Sequence, residues 1–182
     1  CALLVVGIIA LTFRGDSREI ARAWSLNHIP PGSSVIVHSE VIRLPETLYS
    51  AEMQSTLAPG SMRMTDTAIL NGARESHAFE QYRIASVSES EASALINSAA
   101  SATTTVFVID DSWAPHFSSF DAIKSKATLV AKVLGETTIT SSPQIILGGE
   151  YEGSGKHILD LLYGAPATGP DVMIYTYNSQ NL

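Results

Sequence analysis

Cysteine and basic residues are scarce in this chain of 182 residues, which has one cysteine, Cys1, and 11 lysine and arginine against 18 aspartate and glutamate residues. A single cysteine cannot form an internal disulfide or supply a zinc site built on several thiolates. The formal net charge is −7, and nucleic-acid binding needs clustered lysines and arginines to contact the phosphate backbone. With 11 such residues in total, we expect no nucleic-acid partner. Hydrophobic residues make up 45% of the chain, which suffices for the core of one domain.

Residues 1–13, CALLVVGIIALTF, carry no charge and are almost wholly apolar. The run is shorter than the roughly 20 residues that cross a bilayer, and it lacks the basic start of an intact signal peptide. Because the chain opens on Cys1 rather than Met, we expect a longer parent protein in which residues 1–13 end a transmembrane helix and residues 14–182 form a soluble domain. The remnant of a signal sequence and a buried segment of a soluble protein are the alternatives.

A helix is predicted to begin directly after this run. Asp16, with Glu19 three positions later, makes the pattern of an N-cap followed by a capping-box acid. An amphipathic helix is indicated, because one side carries the apolar residues and the other the charged residues: Ile20, Ala21, Ala23 and Trp24 on the first, and Arg18, Glu19 and Arg22 on the second. Pro30 and Pro31 end the helix, and the β-branched stretch SSVIVHSE that follows predicts a strand.

The middle of the chain predicts an α/β fold. Residues 44–80 read mostly as loop with one short helix around residues 64–71. A strand candidate at residues 82–87 is followed by a capping-box helix that starts after Ser88 and by the β-branched run TTTVFVID. A strand, a helix and an apolar strand in this order indicate a parallel unit, so we expect a mostly parallel or mixed sheet with flanking helices.

The last third predicts one more long helix and two more strands. An apolar stripe at helical spacing extends to a glycine in the position favoured for a helix C-cap; its members are Phe120, Ile123, Ala127, Val130, Leu134 and, at the cap, Gly135. QIIL and DVMIYTY are strand candidates, and HILDLLY between them is a short helix candidate with Gly- and Pro-rich flanks.

Asp110 and Asp111 end the TTTVFVID strand and are the first candidate site. Ligands of open α/β sheets bind beyond the carboxyl ends of parallel strands, so the two carboxylates could serve a metal or acid–base chemistry. The alternative is that Asp111 turns the chain before the next helix. The five histidines lack the i, i+4 spacing of a helical metal site, so no metal ligand is assigned.

Arg14, Arg18 and Arg22 are the second candidate, because cations beside a membrane contact lipid phosphates. A solvated helix face is the alternative for these three arginines. Residues 153–157, GSGKH, are similar to a phosphate loop but do not fit its pattern. Glu150 stands where the first glycine is required, and His157 stands where the loop has Ser or Thr.

The stretch from Asp16 to Val37 resembles a known family. Its Asp-Ser-Arg start, the following Ala21, Trp24 and Asn27, and Ile-Pro-Pro-Gly-Ser before an apolar strand are similar to one segment of polytopic GT-C class glycosyltransferases. That segment joins the last transmembrane helix to the extracytoplasmic C-terminal domain in relatives of protein O-mannosyltransferases and lipid A aminoarabinose transferases. A weaker likeness covers residues 94–113 and the closing strands.

The resemblance implies a parent enzyme that transfers a sugar from a polyprenyl-phosphate donor. In such enzymes the catalytic acids lie in loops near the first transmembrane helices, with a divalent metal often assisting. No residue of this chain matches those loops, so we assign no catalytic, cofactor or metal residue and expect no transferase activity from the chain alone. The implied partners are membrane lipid and the transmembrane part of the same chain, and the implied location is the extracytoplasmic side of a membrane.

Two other functions are compatible with the residues. The first is a membrane-tethered or secreted α/β ligand-binding module without catalysis, whose pocket would be formed by the loops at residues 110–117 and 148–157. The second is a soluble intracellular enzyme that uses Asp110 and Asp111, which requires residues 1–13 to pack inside the fold.

Overall fold

A computed structural model of the chain describes residues 16–133 and 169–179. The helices of this part are α1 (Ser17–His28), α2 (Leu48–Leu57), α3 (Met64–Leu70), α4 (Glu89–Ala102) and α5 (Ser118–Lys124), with a short 3-10 turn at Pro59–Ser61. The strands are β1 (Ser34–His38), β2 (Glu80–Arg83), β3 (Thr105–Asp111), β4 (Thr128–Val133) and β5 (Val172–Asn178).

The five strands form one mixed sheet in the order β2-β1-β3-β5-β4. β1 is parallel to both of its neighbours, β2 and β3, whereas β5 is antiparallel to β3 and to β4. After β1 the chain forms β2 on one side of β1, and it then passes through α4 to form β3 on the other side of β1. The carboxyl ends of β1 and β3 therefore meet at the point where the strand order reverses, and His38 lies beside Asp110 there.

Alternating side chains of the sheet build two separate cores. Ile36 and Val108 face a core that α2, α4 and α5 cover. Val35 and Val37 face the other core, which α1 covers together with Ile42 and Leu44 of the segment after β1. All five residues of β1 are buried, as expected of a strand covered on both faces.

Both predicted helix starts are confirmed. The Asp16 carboxylate accepts a hydrogen bond from the backbone N–H of Arg18 at 2.8 Å. At the start of α4, the Ser88 side chain accepts from the Glu91 backbone, and the Glu91 carboxylate accepts from the Ser88 backbone N–H. These contacts satisfy N–H groups that have no partner inside the helix. The predicted α/β class, with a mixed sheet and flanking helices, is likewise confirmed.

The long helix predicted from Phe120 towards Gly135 is wrong in its second half. The helix ends at Lys124, and Thr128–Val133 form strand β4. The β-branched residues of this stretch extend along β5, and this pairing outweighs the helical spacing of the apolar side chains. Leu134 and Gly135 lie outside the described residues.

The prediction of mostly loop between residues 44 and 80 missed α2, although the short helix expected around residues 64–71 is present as α3. α2 buries Ser50, Ala51 and Gln54, so it has no apolar stripe that would mark it in the sequence. The strand expected at residues 82–87 lies a little earlier, at Glu80–Arg83.

Several predictions concern residues outside the described part of the chain: the transmembrane end at residues 1–13, the QIIL strand, the HILDLLY helix and the GSGKH loop. Over residues 16–133 and 169–179, none of the helices combines the length and the apolar character that crossing a bilayer requires.

Candidate functional site

Asp110 and Asp111 lie at the carboxyl edge of the sheet, as predicted, but on opposite faces of it. Asp110 is beside His38 and faces the core under α5, whereas Asp111 faces the side of α1. Both are about 4% exposed. Because successive residues of a strand point to opposite faces, the two carboxylates do not form one acidic pair.

Asp110 is held by two basic side chains. One of its carboxylate oxygens lies 3.0 Å from Nδ1 of His38, and the other accepts from Nζ of Lys124 at 2.5 Å. Nε2 of His38 lies 2.6 Å from the backbone oxygen of Pro115. Burial opposes ionisation of Asp110, but the hydrogen bonds from His38 and Lys124 outweigh it and keep the pKa of this carboxyl below its usual value.

Asp111 is held by the residue after β1 and by the turn after β3. Its carboxylate accepts from Oγ of Ser39 at 2.8 Å and from the backbone N–H of Trp113 at 3.0 Å. The second contact turns the chain after β3, which is the turn-forming role that the sequence offered as the alternative. Both carboxylates at the switch point of the sheet therefore have partners within the fold.

The arginines near the start of the described chain have different partners. The Arg18 guanidinium makes a fork with the Asp16 carboxylate, at 2.9 and 2.6 Å, and lies 5.7 Å from the Trp113 ring. Nε of Arg22, one turn further along α1, donates to the backbone oxygen of Arg43 at 2.7 Å. Arg14 lies outside the described residues.

A buried ionic cluster lies beside β2. Arg83, the last residue of β2, donates to both carboxylate oxygens of Asp66, one of them at 2.7 Å, and Nη1 of Arg83 lies 3.4 Å from Oε2 of Glu46. These three side chains are 6% exposed or less. The backbone N–H of Glu46 donates to Glu75 at 2.7 Å.

The two carboxyls of this cluster ionise differently. Burial and a hydrogen bond with Asp66 raise the pKa of Glu46 to about 8, although Arg83 opposes this shift. Burial also opposes the ionisation of Asp66, but the paired hydrogen bonds from Arg83 and the hydrogen bond from Glu46 hold the pKa of Asp66 below the usual range. At neutral pH the pair therefore shares one proton, with Asp66 charged and Glu46 mostly neutral.

A cavity of about 160 Å³ opens beside the cluster, at the carboxyl end of β2. Its lining residues include four arginines, Arg22, Arg43, Arg63 and Arg83, and two glutamates, Glu46 and Glu75. Arginines from four separate parts of the described chain therefore meet at this cavity.

Sequence reasoning did not identify Glu46, Asp66 or Arg83. They lie in a loop, a short helix and a strand, and Arg83 is 37 residues from Glu46 and 17 from Asp66. One signal was present in the strand candidate YRIASV, where a single charged residue lies among apolar positions. A charge at such a position predicts a buried partner, because an unpaired charge is rarely buried.

No metal centre emerges from the part of the chain that the structure describes, since it contains no group of three or more His, Cys, Asp or Glu side chains arranged to hold an ion. Comparison with known protein families, with curated proteins and with solved structures found no match.

Proposed function

We propose that this chain is the extracytoplasmic C-terminal domain of a membrane glycosyltransferase that transfers a sugar from a polyprenyl-phosphate donor, and that the domain itself has a non-catalytic role. The resemblance over residues 16–37 carries the proposal. These residues form one continuous unit, which consists of a capped helix, a Pro-Pro-Gly turn and the strand β1.

The residues of the resemblance have defined roles in that unit. Asp16 caps α1, Ala21 and Ile29 are buried against the sheet, and Gly32 has φ of 76° at the turn. A positive φ favours glycine, and a proline before it prevents the helix from continuing. The unit thus joins the start of the described chain directly to a strand with neighbours on both sides.

A non-catalytic role is supported by the contacts of the two aspartates that were candidates for chemistry. Asp110 is bound by His38 and Lys124, and Asp111 by Ser39 and the backbone of Trp113. A general acid or base needs a carboxyl within reach of the substrate, whereas both of these carboxyls are buried and serve the fold.

The test is the coding sequence upstream of Cys1. The proposal expects many apolar spans of about 20 residues each, with an acidic pair in the first large loop. A start codon shortly before Cys1, with one span or none, would contradict it. As a biochemical check, the purified chain should not turn over a polyprenyl-phosphate sugar, and turnover would exclude the non-catalytic role.

The arginine-lined cavity favours a second candidate function, a tethered or secreted α/β ligand-binding module. Such a module uses the carboxyl edge of its sheet for binding, and the cavity lies at that edge beside Arg83. The sequence upstream of Cys1 also distinguishes the two candidate functions. For a tethered or secreted module we expect no more than one apolar span there.

A further inference from the structure

Four of the 11 basic residues of a chain with net charge −7 converge on one cavity. They come from separate parts of the fold: Arg22 from α1, Arg43 from the segment after β1, Arg63 from the N-cap of α3 and Arg83 from β2. Like charges repel, so bringing guanidinium groups together costs free energy unless negative charge offsets it.

The fold supplies only part of that negative charge. Arg83 is neutralised by Asp66, and Glu75 contributes a carboxylate to the lining. Within the described residues, neither Arg43 nor Arg63 has a carboxylate oxygen within 4.0 Å of its guanidinium nitrogens, and Arg22 has one at 3.9 Å, in exposed Glu19. The guanidinium groups of Arg22 and Arg63 instead donate to backbone oxygens, Arg22 to that of Arg43 and Arg63 to that of Glu40.

The crowding affects the ionisation of Arg63. Burial lowers the pKa of its guanidinium, and the charges of Arg83 and Arg43 lower it further, more than Asp66 and Glu46 raise it. Glu46 does not offset this charge at neutral pH because it is mostly protonated. The cavity therefore keeps an excess of positive charge in the protein as it stands.

The dimensions fit a small anion. The cavity measures about 160 Å³, which is several times the roughly 30 Å³ that one water occupies in the liquid. A wider depression of about 460 Å³ adjoins it and shares Arg22 and Arg43, with Val41 and two glutamates in its lining. Val41 is half exposed there and offers an apolar contact beside the charged cavity.

We infer that the cavity lined by Arg22, Arg43, Arg63 and Arg83 is a binding site for a phosphate group of a small molecule, with the rest of that molecule over the depression beside Val41. Guanidinium groups bind phosphate oxygens through paired, charge-assisted hydrogen bonds. The inference does not depend on the glycosyltransferase proposal.

Titration calorimetry of the purified 182-residue chain with inorganic phosphate, at low ionic strength, tests the inference. We expect saturable binding that weakens by about tenfold or more in the double variant Arg43→Gln/Arg63→Gln, because each lost guanidinium removes charge-assisted hydrogen bonds. Arg43 is exposed and Arg63 half-buried, so neither substitution opens the core, and circular dichroism checks that the variant is folded.

Arg74→Gln is the matched control, since Arg74 lies outside the cavity and donates to the backbone oxygens of Ile69 and Ala73. This variant should bind phosphate as the parent chain does. Absence of saturable binding by the parent chain, or equal binding by the folded double variant, would overturn the inference.

A lipid surface is another source of phosphate, and vesicles distinguish it from a small molecule. The parent chain and the double variant are compared for cosedimentation with phosphatidylcholine vesicles that contain or lack phosphatidylserine. We expect the double substitution to change phosphate binding and not vesicle binding. If association with phosphatidylserine requires Arg43 and Arg63 while free phosphate does not bind, the site is a membrane contact and the small-molecule inference is wrong.

Discussion

At the scale of single residues, the direction of a side chain decides which other side chains it can contact. Asp110 and Asp111 are adjacent in the chain and belong to different networks, one with His38 and Lys124 and one with Ser39. Glu46, Asp66 and Arg83 are distant in the chain and share one proton and one guanidinium. The second group is the more sensitive to pH, because its proton lies between two buried carboxyls.

The protonation of Glu46 predicts how stability changes with pH. Its pKa is raised from 4.5 to about 8 in the folded chain, so between these values the folded state holds a proton that the unfolded state has lost. The free energy of unfolding should therefore fall as pH rises through this window, by up to about 1.4 kcal/mol per pH unit from this group. Glu46→Gln keeps a neutral donor and should flatten the dependence measured by urea unfolding from pH 5 to 8.

Glu52→Gln is the control for this measurement, because Glu52 is an exposed carboxylate on α2. The stability of the Glu52→Gln variant should depend on pH as that of the parent chain does. Comparison with the parent cancels the contributions of other groups that titrate in the same window. An unchanged slope in Glu46→Gln would mean that this carboxyl is ionised in the folded chain.

At the scale of elements, α2 protects the edge of the sheet. Oγ of Ser50 donates to the backbone oxygen of Gln81 at 2.5 Å and accepts from the backbone N–H of Gln81 at 3.0 Å. The Gln54 amide makes the same pair of contacts with the backbone of Arg83, both at 3.2 Å. Two side chains of a helix thus replace a neighbouring strand along β2, whose free edge would otherwise invite pairing with another chain.

We expect Ser50→Ala and Gln54→Leu each to destabilise the fold by about 1–3 kcal/mol, because each leaves buried backbone groups of β2 without a partner. Urea unfolding measures the loss. The double variant should also self-associate more at high concentration, which sedimentation velocity detects.

Thr56→Ala is the matched change on the exposed side of α2, where the hydroxyl donates only to the backbone of Glu52. It should alter stability by less than about 0.5 kcal/mol. A loss from Ser50→Ala no greater than that from Thr56→Ala would show that α2 does not contribute to stability through the edge of β2.

At the scale of the whole molecule, residues near the two ends of the described chain are joined. Oγ of Ser17 donates to the backbone oxygen of Pro170 at 2.6 Å, across 153 positions of the sequence. Gly169 allows this approach with φ of 106°, and a Cβ there would lie 2.9 Å from Oγ of Ser17. The start of α1 and the start of β5 therefore depend on one glycine.

Gly169→Ala should destabilise the chain by about 1–3 kcal/mol, since alanine is strained at this φ and its Cβ meets Ser17 and Asp16. The thermal unfolding midpoint should fall. Gly60→Ala is the control, because Gly60 has no positive φ and open space around its Cα, so the midpoint should change little. Equal midpoints for the two variants would contradict the close approach of α1 and β5.

Local patterns in the sequence determined much of the fold. The caps at Asp16 and Ser88 start their helices, the proline pair before Gly32 ends the first one, and the β-branched runs form β1 and β3. Each of these features depends on hydrogen bonds or steric limits within a few residues, so the sequence alone carries the information. The carboxyl edge of the sheet, where Asp110 and Asp111 lie, followed from the same patterns.

Only the tertiary structure decided which residues meet. Thr128–Val133 have helical spacing and become a strand because β5 offers a pairing partner. α2 is held to the backbone of β2 by Ser50 and Gln54, which no regular apolar spacing marks in the sequence, and Arg83 obtains its partners from 17 and 37 residues away. The four arginines of the cavity converge for the same reason. The energies of these contacts depend on distances between residues that are far apart in the sequence. The fold sets those distances, so the spacing of residues along the chain does not predict them.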